Sequence, residues 1–408
     1  MLTAIPAYFA RHPVLVVAIG AVTLIIGMGI RHGFGLFLQP MTADLGWTRE
    51  TFAFALALQN LIWGASQPFA GAVADRFGVG RTIAVGAVLY AVGLYLMATS
   101  ATALDFQLGA GLVVGIALSG TTNAVILGGV GRIVPDSWRS MALGITAAGG
   151  SAGQFLVVPL GQSFITAYGW STALTLLAGC ALVMLLLAGA FSGIGAGGPV
   201  AGPSQSLGQA VREAGGHRGF WLLTAGFYVC GFHVMFIAVH LPSFLSDAGF
   251  APMLGAQALG LIGLFNVFGT IAWGALGGRY PKRAMLALLY TARSAVIAAF
   301  VLSPMSETGV LIFSAAIGFL WLGTLPLTSG MVAVIFGPRY MSTLFGVVFF
   351  SHQLGSFTGI WLGGFLYDST GSYDMIWYIG VVLGLVAAAL HWPIDERPVP
   401  RLANQAAE

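Results

Sequence analysis

The feature that most constrains this chain is a repeated run of apolar residues. About twelve stretches of about 20 residues each recur along it, and each is long enough to cross the hydrocarbon core of a bilayer as a helix. They fall at roughly 13–38, 50–75, 82–100, 106–131, 140–165, 169–193, 219–244, 254–277, 284–303, 309–335, 340–366 and 373–392. Within hydrocarbon every backbone N–H and C=O must find a partner inside the chain, and a stretch of this length does so as a helix. The expected fold class is an all-α membrane protein with twelve transmembrane helices. Composition agrees: 58% of the residues are hydrophobic and 7% are charged, where a soluble domain carries about 25% charged residues. The 59 glycines fit the same reading, because membrane helices tolerate glycine and use it for close approach.

Six stretches precede residue 194 and six follow residue 217. Between them lies GIGAGGPVAGPSQSLGQAVREAGG, rich in Gly, Pro, Ala and Ser, ending in a short amphipathic piece around Val211 to Glu213. The expected organisation is an N-terminal six-helix bundle over 1–193, a cytoplasmic linker over 194–217, a C-terminal six-helix bundle over 218–393 and a cytoplasmic tail over 394–408. Two equal bundles around a midplane cavity is the layout of a secondary transporter.

Charge is placed, not scattered. With the N-terminus taken as cytoplasmic, the inner segments hold Arg11, Arg76, Arg81, Arg132, Arg139, Arg212, Arg218, Arg279, Lys282, Arg283, Arg339, Arg397 and Arg401, and the outer segments hold Arg49 alone. The outer loops carry Asp44, Asp105, Asp247, Glu307, Asp368 and Asp374 instead. This positive-inside bias predicts a multi-pass protein of the cell (inner or plasma) membrane with both termini in the cytoplasm. The formal charge of +3 is thereby a matter of orientation and does not indicate nucleic acid. Cys180 and Cys230 lie in spans of different halves and read as packing residues, with no disulfide or metal site. The first residues show no signal peptide with a cleavage site, so the first span is expected to be retained.

Two arginines remain inside spans, Arg31 and Arg293. A charge there costs at least about 2.5–3.5 kcal/mol and usually faces a partner or a watery cavity. A cavity with fixed positive charge suits an anion, and a guanidinium grips a carboxylate in two parallel hydrogen bonds. Snorkelling of Arg31 to the nearby outer interface is the competing reading. No Asp or Glu sits deep in a span; Glu50 is the nearest. Titratable candidates within spans include His32, His233, His240 and His352. His233 and His240 stand two helical turns apart, on roughly one face.

After the second span comes Gly71-Ala-Val-Ala-Asp75-Arg76-Phe-Gly78-Val-Gly-Arg81, and after the eighth Gly274-Ala-Leu-Gly-Gly-Arg279-Tyr-Pro-Lys282-Arg283. The first of these resembles the loop signature of the major facilitator superfamily. The resemblance implies a gating latch, with glycines for a tight turn and with Arg76 and Arg81 paired to acids or helix C-termini. The second copy lacks the acid. Three further stretches resemble the monocarboxylate transporter and oxalate/formate exchanger branch: Gly29-Ile-Arg31-His32-Gly33-Phe34-Gly35-Leu36-Phe37 followed by Leu45-Gly46-Trp47-Thr48, Ala147 to Gln154 running through Pro159 to Trp170, and Gly346 running to Gly363-Gly364-Phe365-Leu366-Tyr367-Asp368 and Asp374.

That branch places a cation on helix 1 facing the cavity, which implies Arg31 or His32 as the anion clamp. It often places an Asp and an Arg on helix 8; here Asn266 and Thr270 stand in that segment. Helix 11 has no lysine. Arg293, on helix 9, either supplies the second cation or bonds carbonyls of helix 8. Since helices 1, 2, 4, 5, 7, 8, 10 and 11 line the cavity in this superfamily, Asn123, Gln154, Tyr228 and Asn266 are expected to offer hydrogen bonds to substrate. Asn60, Gln67, Thr121 and Thr122 are further polar residues in cavity helices. Phe34, Phe37, Phe236, Trp321 and Phe350 are expected as apolar walls or core. His233, His240 and His352 are candidates for proton coupling.

Enzyme readings fail. No glycine-rich loop ends in Lys-Ser/Thr for a nucleotide, and no Cys/His cluster has metal spacing. Gly149-Gly-Ser151-Ala-Gly153 matches the letters of a nucleophile elbow but lies inside an apolar helix. The expected function is secondary transport of a small organic anion, a monocarboxylate first, by alternating access with proton symport and no cofactor, as a monomer. The alternatives are a proton-coupled exporter of drugs or metabolites, an anion exchanger, and a membrane sensor without transport.

Overall fold

The computed structural model of the protein describes residues 12–135, 138–192, 206–337 and 341–405. Arg11, Arg339 and the linker stretch 193–205 lie outside the described residues. Within them the chain is helical, with no strand. The long helices are α1 (Pro13–Leu45), α2 (Arg49–Phe77), α3 (Val79–Ala98), α4 (Ala103–Ile133), α5 and α6 (together Arg139–Leu187, joined at Gly169), α7 (Arg218–Asp247), α8 (Pro252–Arg279), α9 (Lys282–Leu302), α10 (Glu307–Phe336), α11 (Met341–Thr370) and α12 (Asp374–His391). The amphipathic piece of the linker forms a short helix, Leu207–Gly215, capped by Ser206 and Gln209.

Nine segments among the described residues are long and apolar enough to cross a membrane, the α5–α6 pair counting as one of 51 residues. The two others, α2 and α11, are diluted by Gln59, Asn60 and Gln67 and by His352 and Gln353. Large apolar side chains stand on the outside, Leu186 78% exposed and Phe69 73%. A surface of this kind is at home in lipid and would aggregate in water. Helix ends follow local chemistry. The Thr48 hydroxyl caps α2 by accepting the Thr51 N–H. Gly78 ends α2 with φ 98° and ψ 145°, and Gly169 turns α5 into α6 with φ 78° and ψ 167°. Both are conformations that a side chain disfavours.

The chain divides into two compact units. One comprises Met1–Gly198, Ile237–Leu264 and Ile360–Gly371; the other comprises Pro199–Phe236, Phe265–Gly359 and Ser372–Glu408. The boundary therefore cuts α7, α8 and α11 mid-helix, and one end of each is counted with α1–α6.

Each unit is drawn together along a glycine seam. In the first, Gly149 and Gly153 on α5 lie against the α1 backbone, so that a Cβ at either would overlap the carbonyl oxygen of Ala21 or Ile25. Gly29 on α1 returns the contact: a Cβ there would stand 2.7 Å from the Gly153 carbonyl oxygen. In the second unit, Gly355 and Gly359 on α11 lie against the backbone of α7 at Tyr228 and Phe232, and Gly231 on α7 lies against His352. Small residues four apart let two backbones touch, and in lipid such packing drives association. The letters that imitate a nucleophile elbow are one of these seams.

Two helices are broken. In α4 the helix stops at Thr121, Thr122 takes an extended conformation (φ −114°, ψ −170°) and a new helix runs Asn123–Ile133. The run Ser119-Gly120-Thr121-Thr122-Asn123 explains this, since each of these residues is a weak helix former. In α10 the break lies between Phe319 and Thr324, just before Pro326. Backbone freed inside a membrane needs new partners. Arg293, fully buried on α9, supplies two of them: its Nη2 donates to the carbonyls of Leu320 at 2.5 Å and Trp321 at 2.6 Å. The Asn266 Oδ1 on α8 accepts the Leu322 N–H at 3.0 Å. The carbonyls that Arg293 serves thus belong to α10 and not to helix 8 as anticipated, because it is α10 that is broken.

Two outcomes follow. Gly153→Val or Gly355→Val places a branched side chain where only a Cα fits; overpacking costs about 1–3 kcal/mol even where side chains can yield, and a backbone oxygen yields less. The melting temperature in detergent, followed by size-exclusion fluorescence, is expected to fall sharply for both. Arg293→Met leaves two buried carbonyls unpartnered at about 1–3 kcal/mol each and is expected to melt early by the same measurement; an unchanged melting curve would remove this role.

Candidate functional site

Within the first unit, Arg31 is buried near the end of the first regular segment of α1, Pro13–His32. Its Nη2 donates to Asn60 Oδ1 on α2 at 2.6 Å, and its Cζ stands 4.6 Å from the centre of the Trp63 ring. The Asn60 amide is oriented in turn, since its Nδ2 donates to Leu56 O at 2.8 Å. Trp63 Nε1 donates to the Thr122 hydroxyl at 3.2 Å, which is the point where α4 breaks. Three helices are thereby tied into one cluster: α1 gives the cation, α2 an amide and an aromatic face, α4 a hydroxyl and a helix start. His32 is buried next to Arg31, and Asn123, first residue of the second α4 segment, is exposed.

Residues 12–43 and 51–74 contain no Asp or Glu. A guanidinium set beside an amide and an indole face can pull on an anion, and low dielectric strengthens that pull. The N–H groups in the first turn of Asn123–Ile133 carry partial charge of the same sign.

The other expected site residues have these places. Gln154 on α5, buried, donates to Leu259 O on α8 at 2.9 Å. His240 on α7 has its Nε2 2.8 Å from Ile360 O. In the second unit the Tyr228 hydroxyl donates to Thr358 Oγ1 at 2.8 Å, Asn266 and Arg293 meet at the α10 break, and His233 Nε2 lies 2.7 Å from Gly380 O on α12. A carbonyl only accepts, so in both His233 and His240 the Nε2 bears the hydrogen and donates between helices. His352 Nδ1 lies 3.1 Å from Gln353 Oε1.

The loop motif after α2 differs from its anticipated pairing. Gly71 lies within α2 with open space beside it, and the turn falls at Gly78. Asp75 forms its ion pair with Arg132 at the end of α4. Arg76 lies with its Cζ 5.2 Å from the Phe77 ring, and Arg81 is exposed. Among the described residues, the acid of the motif is taken by Arg132 and not by either arginine of the motif.

Two features escape the sequence reading. Trp63 is one; its signal was the 60, 63, 67 spacing, which puts Asn60, Trp63 and Gln67 on one face of α2. The other is a polar cluster around Arg49 at the start of α2. Arg49 forks onto Asp247, at the end of α7, through Nη1 and Nη2 at 2.6 Å each, and stacks over Tyr367 with Cζ 3.7 Å from the ring centre. The N–H groups of Arg49 and Glu50 donate to the two oxygens of Asp368, near the end of α11, at 3.1 and 2.6 Å. Trp361 Nε1 donates to Glu50 Oε1 at 2.9 Å. The charges were visible as helix-end residues, but nothing in the order of residues says that they meet.

Known proteins share this plan. The family model of the Major Facilitator Superfamily matches residues 17–359. The chain is 26% identical over 382 residues to the uncharacterized MFS-type transporter YcxA of Bacillus subtilis, covering 89% of this chain and 90% of that one. It is 26% identical to monocarboxylate transporter 13 of Bos taurus (85% and 80% covered) and 23% identical to the oxalate:formate antiporter of Oxalobacter formigenes (93% and 91%). Among solved structures, a bacterial homologue of the human lysosomal transporter Spinster in an inward-facing, unoccupied conformation superposes with a TM-score of 0.77 at 17% identity, over 96% of this chain and 99% of that one. A D-xylose–proton symporter gives 0.71 at 15% identity, over 94% and 98%. The fold is the twelve-helix fold of these transporters, and the chain is not an enzyme. It is a multi-pass membrane transporter that belongs to the major facilitator superfamily.

Proposed function

We propose that the protein moves a small organic anion, a monocarboxylate first, by alternating access, with Arg31 as its anion clamp. The observation that carries this reading is the cluster around Arg31: a buried guanidinium, fixed by Asn60 and Trp63, in a stretch of helix with no acidic residue. A clamp must be preorganised to grip a carboxylate in two hydrogen bonds, and Asn60 and Trp63 supply that order. The relatives named as monocarboxylate transporters and as an oxalate:formate antiporter handle anions of this chemical class by their names. The interruptions of α4 and α10, fourth in each half, agree with it, since broken helices at matching positions mark binding sites in transporters built from repeats.

In this reading 1–193 and 218–393 act as the two rocking bundles joined through 194–217, with both termini cytoplasmic and the protein working as a monomer. Proton symport is the preferred coupling, carried by the substrate crossing as the neutral acid or by His352; His233 and His240 are already engaged with carbonyls. Anion exchange is the second reading, favoured by the likeness to an antiporter. The Arg49 cluster is read as the outer closure, and the Asp75 loop, held by Arg132 within the first bundle, as stabilising one state of the cycle.

Three measurements test this. In proteoliposomes, Arg31→Ala is expected to abolish uptake of a radiolabelled monocarboxylate such as lactate, and Arg31→Lys, which loses the forked geometry, to reduce it by about tenfold or more, the cost of one well-placed charged hydrogen bond. Full uptake by Arg31→Ala would end the clamp assignment. An inward acid gradient is expected to drive uptake in parent vesicles and a protonophore to remove the effect; gradient-insensitive uptake that is accelerated by internal anion would favour exchange. With Ala53→Cys as a reporter one turn into α2, adding Arg49→Ala is expected to speed labelling by a membrane-impermeant maleimide several-fold if the Arg49 cluster closes the outer side.

A further inference from the structure

The loop motif leaves two cations without an acid, and an apolar groove starts where they stand. Asp75 is taken by Arg132. Arg81, exposed at the first turn of α3, has no ion pair or hydrogen bond among the described residues. From it a groove of about 580 Å³ rises between α2 and α3. Phe77, Val73 and Phe69 form one wall, each facing outward by 44% or more of its surface. Val85 and Leu89 form the other, and Gly120 of α4 lies at its back.

The dimensions suit one occupant. Arg81, Val85 and Leu89 succeed one another at intervals of four along α3, so the groove climbs about 12 Å from the guanidinium at 1.5 Å per residue. One leaflet of hydrocarbon is about 15 Å deep, half of the bilayer core. The charged end of the groove lies at the helix terminus, where lipid headgroups stand, and its apolar walls run inward, where acyl chains run. Arg76, next to Phe77, adds a second cation at the same end. Headgroup phosphates are anionic, and a basic residue near an anionic leaflet contributes about 1 kcal/mol of attraction.

We propose that this groove is a binding site for a single anionic phospholipid, its phosphate on Arg81 and one acyl chain laid between α2 and α3. The site goes beyond the transport reading, and it stands or falls separately from it. It also gives the loop motif a second role: the same turn that holds the Asp75–Arg132 pair holds a lipid.

The test is native mass spectrometry of the full-length protein released from nanodiscs of phosphatidylglycerol and phosphatidylcholine in equal parts. One phosphatidylglycerol is expected to stay bound at collision energies that strip phosphatidylcholine. Arg81→Gln is expected to lower that retained fraction at least fivefold, Arg81→Lys to keep most of it, and Val85→Trp, which fills the exposed groove, to lower it with both arginines intact. Soluble glycerol 3-phosphate, carrying the phosphate without the chain, is expected neither to bind nor to raise the melting temperature. Equal retention of both lipids, or retention unchanged in Arg81→Gln and in Val85→Trp, overturns the proposal. Binding of glycerol 3-phosphate as strong as that of the lipid overturns the acyl-chain part. Should Arg81→Gln melt early, Val85→Trp decides.

Discussion

The close approach of backbones along the glycine seams is the constraint on which the rest of the structure depends. Lipid offers helices no hydrophobic reward for meeting, since acyl chains are as apolar as leucine; association must come from packing and from hydrogen bonds. Gly149 and Gly153 bring α5 onto α1, and α1 carries Arg31. Gly355 and Gly359 bring α11 onto α7 in the same manner. With the backbones in contact, these pairs have little freedom to slide. Arg31 is thereby set on a rigid support, which a binding group needs if its geometry is to survive thermal motion.

Against this rigidity stand the interruptions of α4 and α10. Each exposes backbone polar groups at membrane depth, and each is answered by side chains from neighbouring helices. In α10 the answer is explicit, with Arg293 on the carbonyls and Asn266 on the N–H. In α4 the Gln67 amide on α2 donates to the Ser119 carbonyl at 3.3 Å, and the Thr122 hydroxyl accepts from Trp63, whose ring also faces Arg31. The two arginines that first stood out as isolated charges therefore do different work. Arg293 replaces the partners that a broken helix lost. Arg31 is oriented by the Asn60 amide and the Trp63 ring.

Much of this was legible in the sequence, for physical reasons. Spans of about 20 apolar residues leave no alternative to helices, so the fold class and the helix positions could be read with little more than length and hydropathy. The loop motif and the stretch around Arg31 led to the superfamily. What could not be read was partnership. Asp75 has three arginines within reach of its loop, and which one it takes depends on where α4 ends. Asn266 looked like a substrate contact because a helix break in α10 leaves only faint marks, Gly323 and Pro326. Arg49, Asp247 and Asp368 lie about 200 and 320 residues apart in pairs, and no periodicity links such distances.

The join at Gly169 has a consequence of its own. Here α5 passes into α6 through one residue with positive φ, with no slack between them. With one residue between them, the ends of α5 and α6 stay together whatever the angle between the helices. Since α6 shows side chains such as Leu186 to the outside, a label there would report any change of that angle from the lipid side.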